Sequence, residues 1–198
     1  MCGIVGYVGG QDATQVVVEG LRRLEYRGYD SAGVAVVTPV GVQSRKRAGK
    51  LANLEKALAE APLPDTTVGI GHTRWATHGA PNDVNAHPHL SEDGSLAVIH
   101  NGIIENFAEL RSLLQADGVT FLSETDTEVA AHLLAKMVGE TGSLTEAMQA
   151  TCRQLRGAFT LVAASAEDPD TLVGARRNSP LVVGLGDGET FLASDVSA

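Results

Sequence analysis

Cysteine is scarce in this chain: Cys2 and Cys152 are the only two in 198 residues. Two cysteines cannot build a disulfide framework, so the thiols are expected to be reduced and the protein cytoplasmic. Basic charge is also short, with 15 Lys and Arg against 24 Asp and Glu and a net charge of -9. That balance repels a phosphate backbone and an anionic membrane surface, so neither nucleic acid nor membrane is an expected partner. Apolar runs such as VAVV at 34–37 fall far short of the roughly 20 residues of a membrane helix. The Gly-rich start lacks the basic region and apolar length of a signal peptide. No internal repeat, low-complexity tract or GxxxxGK[ST] phosphate loop occurs. Small-molecule chemistry or protein contact is left for a single domain, read as spanning 1–198.

The one basic cluster, SRKRAGK at 44–50, reads first as a solvated strand running into a helix and second as a phosphate patch. Glycines punctuate short strands. Residues 2–8, 32–38, 41–46, 67–73, 95–100, 157–166, 171–176, 180–185 and 189–194 read as strands, the last two joined at Asp187-Gly188. Helices are expected over 12–25, around Leu51–Leu58, over 103–116, from Thr125 to about 138, and over 144–155. Thr125/Glu128 and Ser143/Glu146 open two of them as capping boxes. The His-rich stretch between the strands at 67–73 and 95–100 is expected to be an irregular loop of about 20 residues, unusual enough to suggest function. Strict βαβ alternation is absent, which predicts an α+β fold of sheet layers with helices outside. The end at Ala198, just after a strand, reads as a cut within a longer protein.

Position 2 carries the most chemistry. Removal of the initiator Met before a small residue would leave Cys2 N-terminal. Its α-amine, with an ordinary pKa of about 7.7–8.0, would then lie beside its own thiol as a general base. Asn101-Gly102 is a common turn pair, but an Asn amide and a Gly N–H can also aim two donors at one developing oxyanion. Arg74, at a strand end, suits a carboxylate. Asp126, at a helix start, either stabilises the macrodipole or holds an ammonium group. Arg74 and Asp126 together would grip a free amino acid by both charged ends. Cys152 shares an apolar helix face with Leu144, Met148 and Leu155 and reads as core.

CGIVGYVG at 2–9, LEYRGYDSAGVAV at 24–36, GHTRWATHGAPNDVNAHPH at 71–89, HNGIIEN at 100–106 and SETDTEV at 123–129 occur in that order. With them the whole chain resembles the N-terminal glutaminase domain of the N-terminal-nucleophile (class II) glutamine amidotransferases, in their glucosamine-6-phosphate synthase branch. The resemblance implies a four-layer αββα sandwich of two mostly antiparallel sheets, and hydrolysis of L-glutamine through a Cys2 thioester. It implies that Asn101 and Gly102 form the oxyanion hole and that Arg27 and Gly28 position Cys2. Arg74, Thr77 and His78 would take the substrate carboxylate, and Asp126 the ammonium. His87 would lie in a loop ordered around glutamine, and Trp75 would gate an ammonia channel. No cofactor or metal is implied. The expected partners are glutamine and C-terminal isomerase domains with a fructose 6-phosphate site, in a full-length homo-oligomer.

Two other readings stand beside this one. His72, His78, His87, His89 and His100 are dense enough to consider zinc, although the HExxH and CxxC spacings are missing. A non-catalytic glutamine-binding regulatory module would keep Arg74 and Asp126 and need no nucleophile.

Overall fold

VAVV at 34–37 lies on a strand buried on both faces, which is why it reads as a continuous apolar run rather than an alternating one. Even so, the run alternates in where it packs. Val34 and Val36 face helices, while Ala35 and Val37 face a second sheet. The computed structural model describes residues 2–28, 30–75 and 79–198. Thr77 and His78 therefore lie outside the described residues.

One sheet has six strands: β1 (Gly3–Val8), β2 (Ser31–Thr38), β3 (Gly41–Ala48), β4 (Val68–Arg74), β9 (Val182–Leu185) and β10 (Thr190–Ala193), in the order β3-β2-β4-β1-β10-β9. The other has four: β5 (His89–Leu90), β6 (Leu96–Ile104), β7 (Gly157–Ser165) and β8 (Asp168–Arg177), in sequence order. Every strand pair is antiparallel. Helices α1 (Ala13–Leu24) and α2 (Leu51–Glu60) cover the first sheet through Val17, Leu21, Leu24, Leu51 and Leu54. Helices α3 (Phe107–Ala116), α4 (Asp126–Thr141) and α5 (Leu144–Gln154) cover the second. Ile4, Ile70, Ile99 and Val162 fill the space between the sheets. The result is the expected α+β sandwich of four layers. Burying each such aliphatic side chain is worth about 1.5–3 kcal/mol.

Four local expectations need correction. First, the strand before Asn101-Gly102 does not end there. β6 continues to Ile104, with Asn101 opposite Thr160 and Gly102 opposite Phe159, so α3 starts at Phe107 rather than 103. Gly102 makes this possible: its φ is +119°, and a Cβ would stand 2.1 Å from the Ala158 carbonyl oxygen. Second, the His-rich segment contains the short strand β5, paired with Ala97 and Val98. Third, β8 starts at Asp168 rather than 171 and runs through Pro169. It is an edge strand, where a missing N–H costs no ladder bond.

Fourth, the capping box at Thr125 is half formed. Its hydroxyl accepts from Glu128 N at 3.2 Å, but the Glu128 carboxylate turns to Leu122 N at 2.8 Å and Ser123 N at 2.7 Å. Burial raises the Glu128 pKa, but the nearby His132 imidazole, 3.7 Å away, and the bonds from Ser123 and Leu122 outweigh it and bring it down to about 2. A carboxyl group depressed in the fold stabilises it above the unfolded pKa of about 4.3, and this contribution is lost as pH falls toward 2. The melting temperature of the native chain should therefore fall more steeply between pH 4.5 and about 2 than that of Glu128→Gln. Parallel melting curves would refute this assignment.

The basic run lies on edge strand β3 and is used in packing. Arg45 donates to Ala61 O at 3.1 Å, Lys46 to Val84 O at 3.1 Å, and Arg47 lies 3.6 Å from Asp83. This is the solvated-strand reading, and charges on an edge also discourage strand addition.

Candidate active site

Strand periodicity aims the site residues. On β4, Val68 and Ile70 face the second sheet, so His72 and Arg74 do too. On β6, Ala97 and Ile99 face the first sheet, so Asn101 points back toward β4 and β1. His100 points the opposite way, toward α4, where its Nδ1 lies 3.0 Å from Thr127 Oγ1. Cys2 immediately precedes central strand β1, whose Gly3 pairs with Thr73. The nucleophile candidate thus sits at the end of the sheet where β4 delivers Arg74.

These residues surround one cavity of about 400 Å³. Cys2, Arg27, Arg74, Trp75, His87, Asn101, Gly102 and Asp126 all line it. A wider groove of about 770 Å³ runs along α1, but it is lined by residues such as Gln15, Glu19 and Arg22 and has no cysteine. The candidate site residues therefore belong to the smaller cavity.

Trp75 N donates to Cys2 Sγ at 3.1 Å. Burial pushes the Cys2 thiol up, and the Trp75 N–H and the Arg74 charge pull the other way. Asn101 Nδ2 donates to Cys2 O at 3.0 Å, and Asn101 Oδ1 lies 2.9 Å from His72 Nε2. An amide nitrogen carries two N–H groups, and the bond to the Cys2 carbonyl uses only one of them.

The two charged ends are buried. Arg74 is 4% exposed, and its guanidinium lies 4.0 Å from Asp30. Asp126, the first residue of α4, accepts from Ile104 N at 2.9 Å and lies 3.8 Å from His100 Nδ1. The fold thus brings to one cavity a cation and an anion 52 positions apart in the chain.

Arg27 and Gly28 pack against strand ends beside the cavity. Arg27 Nη1 bonds to Asp195 at 2.7 Å and to Ser194 O at 3.3 Å. Ser194 Oγ accepts from Ile4 N at 3.0 Å, and Ser194 N donates to Ile4 O at 3.1 Å. Arg27 therefore ties the end of β10 to the strand that carries Cys2. A Cβ on Gly28 would stand 2.8 Å from Thr73 O, so only glycine lets this turn lie against the end of β4.

His87 lies against the His72 ring, with centroids 4.3 Å apart and planes at 35°. Burial, with smaller repulsion from neighbouring histidines, holds its pKa well below the ordinary value. Half of the Trp75 surface is exposed at the cavity rim. Among the described residues, no three His, Cys, Asp or Glu side chains converge in a way that could hold a metal ion. Cys152 is half-buried against the α4–α5 core and is not among this cavity's lining residues.

Sequence reasoning missed His72 and His100 as individual site residues, the Ser194–Asp195 tie, and the wall formed by Asn178, Ser179 and Pro180. Strand alternation could have found the two histidines. Nothing local marks 178–180, although Asn178 has a φ of +57°.

Residues 72–198 match a family profile described as a glutamine amidotransferase domain. The chain is 65% identical over 198 residues to a glutamine–fructose-6-phosphate aminotransferase (isomerizing) of Streptomyces coelicolor, covering all of this chain and 32% of that protein. The corresponding Thermus thermophilus protein is 60% identical over 198 residues, again with 32% of it covered. The chain thus spans about a third of the length of these curated relatives. Among solved structures, a glutamine phosphoribosylpyrophosphate amidotransferase from B. subtilis, complexed with ADP and GMP, superposes with a TM-score of 0.80 at 26% identity. That match covers 98% of this chain and 42% of the other. With the profile spanning well over half its length, the chain belongs to the glutamine amidotransferase domain family.

Proposed function

We propose that this chain is the glutaminase domain of a glutamine–fructose-6-phosphate aminotransferase, spanning 1–198, and that it releases ammonia from L-glutamine through a Cys2 thioester. The observation that carries this reading is the shared cavity. A thiol, the Asn101 side-chain amide, the Gly102 backbone, a buried guanidinium and a buried carboxylate all line it. Glutamine presents the matching groups: a carboxamide carbon, its oxygen, a carboxylate and an ammonium.

An amide is a weak electrophile with a poor leaving group, and a covalent intermediate divides its hydrolysis into two easier steps. Once Met1 is removed, the α-amine of Cys2 takes the thiol proton and Sγ attacks the carboxamide carbon. The C=O electrons move onto oxygen, where the second Asn101 N–H and the Gly102 N–H stabilise them. The amine returns its proton to the departing nitrogen, the C–N bond breaks, and ammonia leaves a thioester. Water, deprotonated by the same amine, attacks the thioester and frees glutamate and the thiol.

Arg74 holds the substrate carboxylate and Asp126 its ammonium. His87 backs the pocket wall, Trp75 gates the route of the ammonia, and Thr77 and His78 assist Arg74. The acceptor sugar phosphate would be bound by isomerase domains in the other two thirds of the protein, which we expect to be a cytoplasmic homo-oligomer.

The test is covalent labelling read by intact mass. The native chain should have lost Met1. A glutamine-shaped diazoketone should add once, at Cys2 and not Cys152, and stop glutamate release. A chain without Met1 that neither takes the label nor releases glutamate would end this reading.

A further inference from the structure

We propose that His72 is a positioning residue for this chemistry. By donating Nε2–H to Asn101 Oδ1 it fixes which way the Asn101 amide faces, so that its N–H groups point toward Cys2 and the reacting carbonyl. The inference rests on the glutaminase reading and deepens it.

A side-chain amide has nearly the same shape in its two orientations, and only its hydrogen bonds decide between them. An oxyanion hole cannot tolerate the wrong choice, because rotation replaces a donor by an oxygen where negative charge develops. Asn101 has two partners. Cys2 O, 3.0 Å from Nδ2, can only accept. His72 Nε2, 2.9 Å from Oδ1, must then donate. In the rotated orientation Asn101 Oδ1 would face the Cys2 carbonyl oxygen and its NH2 would face the imidazole N–H. The Cys2 contact would become repulsive outright, and so would the imidazole contact unless the ring proton moved to Nδ1, which is buried with no hydrogen-bond partner to receive it; the two partners thus act as one selector.

The fold isolates this selector. His72 comes from β4 of the six-stranded sheet and Asn101 from β6 of the four-stranded sheet, so their bond spans the gap between the layers. His72 has no exposed surface. The His87 ring lies against the His72 ring and limits its tilt. Burial brings the His72 pKa down to about 3, so the imidazole is neutral at working pH and has one N–H to place. Its tautomer therefore matters: a proton on Nδ1 alone would turn Nε2 into a second acceptor facing an acceptor.

A merely structural link between the sheets would predict lost stability with no specific effect on chemistry. A double-mutant cycle in glutaminase turnover separates the two. His72→Phe keeps an aromatic ring but removes the donor. It should lower kcat about 10-fold, part of the ~10²–10³ expected for losing an oxyanion donor outright, and leave KM within about threefold. In an Asn101→Ala background the same substitution should leave kcat unchanged, because no amide remains to orient. His72→Gln, which can still offer an N–H, should recover much of the loss.

Equal effects in the two backgrounds, or an unchanged kcat in His72→Phe, would overturn the positioning role while the glutaminase reading stood. A native chain that releases no glutamate would instead bring down the glutaminase reading itself. Should His72→Phe fail to fold, nitrogen NMR of the native chain with labelled histidine decides. His72 is expected to be protonated at Nε2 across pH 6–8, a range chosen around the ordinary histidine pKa of about 6.5, and a proton found on Nδ1 alone would refute the proposal.

Discussion

Cys2→Ala should reduce glutamate release by about 10⁴-fold or more while leaving glutamine binding measurable by calorimetry. In a covalent mechanism the nucleophile belongs to every bond-making step, and deleting one member of such a unit removes nearly all of its contribution. Binding, by contrast, is assigned to Arg74 and Asp126, which the substitution does not touch. The fold should also survive, because Cys2 precedes β1 and its side chain belongs to none of the three buried clusters. Turnover unchanged in Cys2→Ala would point to a glutamine-binding module with its chemistry elsewhere.

The second large effect concerns recognition of the amino-acid ends. Arg74→Met should raise KM by about 30-fold to several thousand-fold, since truncating one member of a buried, hydrogen-bonded charge pair costs roughly 2–5 kcal/mol. Asp126→Asn gives the sharper comparison. Its amide oxygen can still accept from Ile104 N, which the carboxylate does at 2.9 Å, so the start of α4 keeps its link to β6. Only the charge is lost. The native enzyme should use glutamine far better than the analogue lacking the α-amino group, and Asp126→Asn should bring the two within about tenfold of each other, as expected when a charge pair worth a few kcal/mol is removed. If the preference for glutamine survives in Asp126→Asn, the ammonium is held elsewhere.

The parts of this fold that show in the sequence follow periodic rules. The α1 stripe of Val17, Leu21 and Leu24, the N-caps Thr125 and Ser143, and the turn at Asp187-Gly188 all state their geometry locally. The αββα layering needed the family resemblance as well, because element order alone left the two sheets unpaired. The end of β6 was hidden because Asn-Gly usually closes a strand, whereas here β7 holds Gly102 in the ladder at a φ of +119°.

The site shows a similar division. Cys2, Arg74, Asn101 and Asp126 declare themselves by residue type, and the fold brings them to one cavity. Arg27 is different. Its role depends on Asp195, 168 positions away, and no local pattern announces that pair. His72 reads as one histidine among many until β4 and β6 are seen facing each other across the layers.

The placement of β1 has a consequence for timing during synthesis. Of the elements of this fold, β1, which follows Cys2, is translated before the others, yet it lies between β4 and β10 and is tied down by Ser194. One of its two neighbours, β10, is therefore the last element of this fold to be translated. A nascent polypeptide carries Cys2 well before it has the scaffold around it, which is complete only when nearly the whole domain has emerged.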